Sequence, residues 1–281
     1  MKSHLYADGL ALAAIALWGT LASLGVSLAH VPPFLLTGLS LLIGSLIALP
    51  LSRFRLSRWR VTGTTLLLGV YGLFGFHFLL FLALRHAPPV EANLVNYLWP
   101  LFIVVLSPVV LPGVALRLPH VLAALLGFGG AAIAIAGGRE LSGTLAWGYL
   151  PALAAAFIWA TYSLMTKRVA TFPTTAIGLF GLVSGVLSLL CHVVLEPSVA
   201  LQPRDWALLA VLGLGPLGAS FFMWDKALKL GDARHIGILS YITPLASTAL
   251  LMVVSGRPFT WSIALATAMI ISAAVMGMRA R

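Results

Sequence analysis

Charged residues cut this chain into long apolar stretches. Runs without Asp, Glu, Lys or Arg cover residues 9–52, 61–84, 92–116, 118–138, 141–166, 169–195, 206–224, 235–256 and 258–278. A helix needs about 20 apolar residues to cross a bilayer. Eight of the nine runs approach or slightly exceed that length. The first holds 44 residues, with the turn signal His30-Val31-Pro32-Pro33 in its middle. The pattern therefore predicts ten α-helical spans, at roughly 7–29, 32–51, 62–84, 90–111, 119–137, 147–167, 174–195, 206–228, 235–255 and 260–278. Barrel strands alternate apolar and polar residues over about ten positions. These runs are longer and apolar on every face, so the expected fold is an all-α integral membrane bundle.

The polar positions inside the runs repeat. A shift of 141 places Trp18 on Trp159, Thr20 on Thr161, Pro32 on Pro173 and Gly44 on Gly185. A shift of 144 places Gly69 on Gly213, Phe78 on Phe222, and Tyr97, Pro100 and Leu101 on Tyr241, Pro244 and Leu245. The repeat unit is five spans, residues 1–142 and then 143–281. Five is odd, so the second copy enters the membrane from the opposite side. Inverted repeats of this kind characterise secondary transporters.

Polar residues in hydrocarbon face protein or a watery cavity. The fourth span carries Asn93, Asn96, Tyr97 and Pro100 on one helical face, and the ninth carries Ser240, Thr243, Pro244 and Ser247. The first span has Thr20, Ser23 and Ser27; the sixth has Trp159, Tyr162, Ser163 and Thr166. Small hydroxyl residues also serve as packing contacts between helices. Bulky polar groups do not permit close packing, which favours a cavity. The expected lining is Trp18, His77, Asn96, Tyr97, Trp99, Trp159, Tyr162 and Tyr241. Indole and phenol walls suit an aromatic or cationic solute. Pro100 and Pro244 each remove a backbone donor, and with Gly69 and Gly213 they are the expected hinges. Plain helix packing is the alternative for the glycines, for Gly181-x-x-x-Gly185 as well.

Composition sharpens the picture. The chain is 60% hydrophobic and 9% charged, whereas a soluble domain is about a quarter charged. The net charge of +10 does not mark a nucleic-acid surface, because the cations sit in short loops. With the N-terminus in the cytoplasm, 13 fall inside: Lys2, Arg53, Arg55, Arg58, Arg60, Arg117, Lys167, Arg168, Lys226, Lys229, Arg234, Arg279 and Arg281. Four fall outside: Arg85, Arg139, Arg204 and Arg257. This bias obeys the positive-inside rule and puts both termini in the cytoplasm. The single cysteine, Cys191, cannot form a disulfide or thiolate metal site within one chain. The first run lacks a cleavage site and should stay as a span.

No phosphate-binding Gly-rich loop with Lys is present. No acidic residue falls near mid-span; Asp8, Glu91 and Asp225 (with Lys229 at i+4) read as solvated helix ends. His77 is the only deep group that titrates near neutrality. Neither a catalytic grouping nor a cofactor or metal is expected, and the chain reads as a carrier rather than an enzyme. A membrane-embedded enzyme and a passive pore are the other classes.

Ten spans in a five-plus-five repeat with proline-bearing fourth and ninth spans resemble the drug/metabolite transporter superfamily, in its EamA-type branch. Within it, Asn96-Tyr97-Leu98-Trp99-Pro100 is similar to the corresponding motif of the YddG aromatic amino acid exporters. Phe157-Ile158-Trp159-Ala160 with Tyr162, and Ser240-Tyr241 with Thr243-Pro244-Leu245, look like the same proteins. The resemblance implies export of aromatic amino acids, and of other amino acids and small toxic solutes, from cytoplasm to periplasm across the bacterial inner membrane, with a metabolite or drug carrier of the same superfamily as the alternative. The expected partners are the small solute and the lipid bilayer, and the chain is expected to be a monomer. Single cysteines placed in the Arg53–Arg60 and Arg85–Pro89 segments, in a chain without Cys191, are expected to react with an impermeant maleimide from opposite sides. Reaction of both from one side would overturn the topology.

Overall fold

The computed structural model describes residues 2–136, 146–255 and 260–280. The expected repeat boundary at 142/143 and the loop cations Arg139, Arg257 and Arg281 lie outside the described residues, as do the side chains of residues 2–4, 251, 254 and 255. In chain order, the structure contains α1 (Leu5–Ser27), α2 (Pro33–Leu51), α3 (Gly63–His86), α4 (Pro89–Val110), α5 (Leu118–Ala136) and α6 (Tyr149–Met165). These are followed by α7 (Thr174–Leu195), α8 (Pro203–Leu230), α9 (Ala233–Leu239), α10 (Ile242–Ser255) and α11 (Trp261–Arg279). No strand occurs among the described residues.

Eight of these helices are long and apolar enough to cross a membrane. The expected sixth and ninth spans depart from that standard. Helix α6 is apolar but only 17 residues long. The ninth is divided into α9 and α10 by a turn at Ser240–Tyr241. Pro244 has no N–H to return to the Ser240 carbonyl, so the helical ladder breaks there. The fourth span also breaks, at Tyr97–Leu98, three and two residues before Pro100. Pro100 then sits in the first turn of the resumed helix, where a missing donor costs nothing.

Helix starts are locally encoded. Thr62 caps α3 by accepting the Thr65 N–H at 3.2 Å, and Asp232 caps α9 by accepting the Arg234 N–H at 2.8 Å. Helix α2 is capped from a distance. The Glu196 carboxylate, at the end of α7, accepts the Phe34 and Leu35 N–H groups at 3.0–3.2 Å and also binds Arg85 of α3 at 2.8 Å and His192 at 3.0 Å. Its side chain is fully buried. A carboxylate at a helix N-terminus is favoured by the unpaired amides and the helix dipole. Glu196 thus ties α2, α3 and α7 together at one face of the bundle.

Packing exchanges corresponding helices of the two halves. Helix α1 packs on α8 and α10, while α6 packs on α3 and α4; α2 packs on α7, and α5 on α11. Small residues permit the closest crossings. A Cβ at Gly44 of α2 would lie 2.7 Å from the Gly213 carbonyl oxygen and 2.8 Å from Gly218 Cα of α8. Gly181 and Gly185 face Leu41 and Gly38 of α2, so this pair is used within the chain. Gly69 lies under the Phe180 ring. Helices α3 and α8 each carry a π-helical turn, Tyr71–Gly75 and Gly215–Ala219, displaced from one another by the 144-residue shift seen in the sequence.

Backbone cannot yield at Gly44 as a side chain can. Gly44→Val is therefore expected to destabilise the protein by about 1–3 kcal/mol, read as a lower Tm in detergent. Gly9→Ala, where nothing lies within 4 Å of the added atom, should leave Tm unchanged.

Candidate functional site

Four indoles meet at the centre of the bundle. Trp18 of α1, Trp99 of α4, Trp159 of α6 and Trp224 of α8 form six ring pairs, all with centroids 5.1–6.4 Å apart. Most are edge-on or tilted, the geometry the aromatic quadrupole prefers. Two of the indole N–H groups have defined partners. Trp18 Nε1 donates to the Pro216 carbonyl at 3.1 Å, and Trp224 Nε1 donates to Ser163 Oγ at 3.1 Å. The Pro216 carbonyl also accepts from Ser220 Oγ at 2.5 Å, so the π-helical turn of α8 supplies the backbone acceptor that fixes Trp18.

Above this floor lies a cavity of about 440 Å³, within the range of small-molecule sites. Trp18, Trp99 and Trp159 form its base with Phe76 and Phe221. Its walls include His77 and Phe81 of α3, Thr37 of α2, Asn93 and Asn96 of α4, Tyr97, and Thr243 and Ser247 of α10. It reaches Gly25 near the end of α1 and Leu84 near the end of α3, next to Arg85. Among the described residues no Asp, Glu, Lys or Arg lines it. His77 Nδ1 lies 2.6 Å from the Leu73 carbonyl. A carbonyl only accepts, so the proton is on Nδ1.

Six of the eight sequence-predicted lining residues meet at this cavity: Trp18, His77, Asn96, Tyr97, Trp99 and Trp159. Tyr162 and Tyr241 do not line it. Tyr162 is 3% exposed behind Trp159, its ring packed over Gly72 of α3. Tyr241 is fully buried over Gly127 and against Phe128 of α5. Thr37, Phe76, Phe221 and Trp224 were not singled out from sequence. The 144-residue shift does place Phe221 on His77, a usable signal; Thr37 and Trp224 carry none.

The opposite end of the site is closed by polar contacts. Asp225, expected at a solvated helix end, is 2% exposed. It binds Lys229 Nζ at 2.7 Å and accepts from Thr174 Oγ1 at 2.6 Å. Lys229 also donates to the Phe172 carbonyl at 3.0 Å and stands 3.8 Å over the Phe172 ring. These contacts pin α8 to the segment between α6 and α7, directly beyond Trp224. The correction has a physical cause: residues 166–176 fold over the end of α8 and exclude solvent. On the same face, Arg234 binds Asp232 at 2.5 Å and the Ala115 carbonyl at 2.6 Å, Lys167 binds the Gly231 carbonyl at 2.7 Å, and His235 lies 3.3 Å from Asp8. Burial pushes the Asp232 carboxyl up, but its bonds to Arg234 outweigh this and hold it below the usual carboxylate value. Burial holds the Lys167 ammonium below the usual lysine value. Glu91, at the other face, is hydrogen-bonded by the Tyr149 hydroxyl. Among the described residues no three His, Cys, Asp or Glu side chains gather as a metal site.

The sequence profile of the EamA-like transporter family matches the chain twice, over residues 5–136 and 146–278. The chain is 42% identical over 269 residues to the aromatic amino acid exporter YddG of Ancylobacter novellus, covering 94% of this chain and 93% of that protein. It is 30% identical to the aromatic amino acid exporter YddG of Salmonella typhimurium, covering 89% of each. A solved crystal structure superimposes with a TM-score of 0.90 at 40% identity, over 98% of both chains.

Removing one partner of a buried ion pair strands the other. Asp225→Ala is expected to lower stability by up to about 3 kcal/mol, the lower end of the range for such losses because Lys229 keeps some solvent contact. Asp225→Ala with Lys229→Met should recover part of that loss in thermal unfolding. A double variant no more stable than the single would show that the two residues are not coupled.

Proposed function

The chain belongs to the EamA-like transporter family, and from that premise we propose that it exports aromatic amino acids from cytoplasm to periplasm by alternating access. It is a multi-pass bacterial inner-membrane protein and a transporter rather than an enzyme. In this reading the bundle comprises ten spans in two inverted halves, residues 1–142 and 143–281. The exchanged packing of α1 and α6 on helices of the opposite half supports it. So does the recurrence of π-helical turns and proline-associated breaks at a shift of about 144. Both termini are cytoplasmic, the cation-rich loops facing inward.

The observation that carries the proposal is the cavity floored by indoles. An aromatic side chain fits edge-on or tilted among Trp18, Trp99 and Trp159, while the mixed polar wall holds the rest of the solute. The cavity reaches the Arg85 end of the bundle, and the Asp225–Lys229–Thr174 contacts close the other end. That arrangement is the periplasm-facing state. Rocking of one half against the other about the breaks at Tyr97 and Ser240, with Pro100, Pro244, Gly69 and Gly213 adjoining the mobile segments, closes the first end and opens the second.

Transport needs no obligatory ion partner in this reading. Buried acids in membrane are costly and usually functional, and among the described residues none lines the cavity. Net tryptophan flux from proteoliposomes is expected without a pH or sodium gradient. Trp99→Ala and Trp159→Ala should each lower it by about tenfold or more, from loss of contacts that large aromatic side chains provide, with normal insertion. Normal flux in both variants would displace the site. Uphill accumulation driven by an imposed pH gradient, and abolished in His77→Ala or Glu91→Gln, would overturn the uncoupled mechanism.

A further inference from the structure

The loop between α2 and α3 is held in a strained shape. Arg53 and Phe54 both take left-handed backbone angles, with φ of 54° and 56°, where a bulky side chain is disfavoured and glycine is at ease. Phe54 gains no core packing in return. It is 74% exposed, and Leu51 and Leu56 beside it are exposed as well. The loop is nonetheless pinned. The Phe54 N–H donates to the Leu49 carbonyl at 2.8 Å, Trp59 Nε1 donates to Ser52 Oγ at 3.2 Å, and Thr175 Oγ1 donates to the Arg58 carbonyl at 3.0 Å. Strained backbone that its surroundings enforce points to a use. Where this loop enters α3, a second cavity of about 350 Å³ opens. Arg60, Thr62 and Thr65 line one side, and Thr171, Phe172 and Pro173 line the other. Among the described residues, Arg53, Arg55, Arg58 and Arg60 form no ion pair. The described acids of this face are engaged elsewhere: Asp225 with Lys229, Asp232 with Arg234 and Asp8 with His235.

We propose that the α2–α3 loop and this cavity form a binding site for the headgroup of an anionic phospholipid, in the leaflet that the topology above makes cytoplasmic. The Arg60 guanidinium, a planar fork of donors, matches phosphate oxygens, and the Thr62 and Thr171 hydroxyls can donate to the same group. Arg53, Arg55 and Arg58 supply a local positive field that favours an anionic headgroup over a zwitterionic one. Leu51, Phe54 and Leu56 project apolar surface suited to the boundary between headgroups and acyl chains. A free phosphate ion has the same chemistry as the headgroup, but it has no use for three exposed apolar side chains. That pairing of cations with apolar surface commits the site to a lipid. The inference is independent of which solute the central cavity carries.

Native mass spectrometry of the full chain in detergent, titrated with dioleoylphosphatidylglycerol or dioleoylphosphatidylcholine, reads the preference directly. The two lipids share their acyl chains and phosphodiester and differ in net charge. Phosphatidylglycerol is expected to bind at least about fivefold more tightly, and Arg60→Gln should weaken it by about fivefold, the effect of one basic residue at an anionic surface. Arg117→Gln, which removes an exposed cation from another loop of the same face, should leave it unchanged. Phe54→Gly relieves the left-handed strain and removes no buried surface, so Tm without added lipid should hold or rise while phosphatidylglycerol binding falls. Equal binding of the two lipids to the unaltered protein would overturn the proposal. So would an equal loss in Arg117→Gln and Arg60→Gln, which would reduce the site to general surface charge. A lower Tm in Phe54→Gly with unchanged lipid binding would assign the loop to folding instead. If inorganic phosphate raises Tm through Arg60 and phosphatidylglycerol does not, the site takes the free ion and the lipid assignment falls.

Discussion

A backbone amide or carbonyl cannot be left unpaired in hydrocarbon, and this constraint governs how the bundle makes room for a cavity. Unbroken apolar helices would fill the interior. Here helices around the cavity are interrupted, at Tyr97–Leu98, at Ser240–Tyr241 and in the π-helical turns of α3 and α8. The Pro216 carbonyl, in the π-helical turn of α8, accepts from both Trp18 Nε1 and Ser220 Oγ. Through the first of these bonds, a backbone irregularity orients the indole that touches Trp99, Trp159 and Trp224. The breaks at Tyr97–Leu98 and Ser240–Tyr241 are likewise local, with each proline placed where the resumed helix lacks a donor anyway.

Much of this was legible along the chain because span length, apolarity and repeat spacing are one-dimensional properties. The apolar runs mark the helices to within a few residues, and the 144-residue shift anticipates the paired π-helical turns. The length of the sixth span and the division of the ninth were less legible. Both depend on where a turn falls within an apolar run. The aromatic floor was half legible: Trp18, Trp99 and Trp159 stand out as mid-span indoles. Trp224 does not, because it lies next to Asp225 and Lys226 and reads as a helix end. Only the fold of residues 166–176 over α8 makes that end an interior.

The two misplaced tyrosines show a different limit. A stripe on one helical face identifies neighbours along a helix, not what the face meets. Tyr162 follows Trp159 at i+3, yet the glycine at position 72 makes a slot for its ring on α3. Tyr241 stands at the break between α9 and α10, where the helical register no longer predicts direction, and Gly127 of α5 receives it. In both cases a glycine on a partner helix decides the side chain's direction, and that pairing is visible only in three dimensions.

The uncharged lining has an electrical consequence. Moving one elementary charge across a membrane potential of 100 mV involves about 2.3 kcal/mol, and under the proposed export a net-neutral solute, in a cavity that no described Asp, Glu, Lys or Arg lines, would carry none. The resting voltage of the cell then neither drives nor opposes the cycle. Under the proposed uncoupled export, flux would follow the ratio of solute concentrations alone, and a cell holding a strong voltage would lose no more solute than a depolarised one.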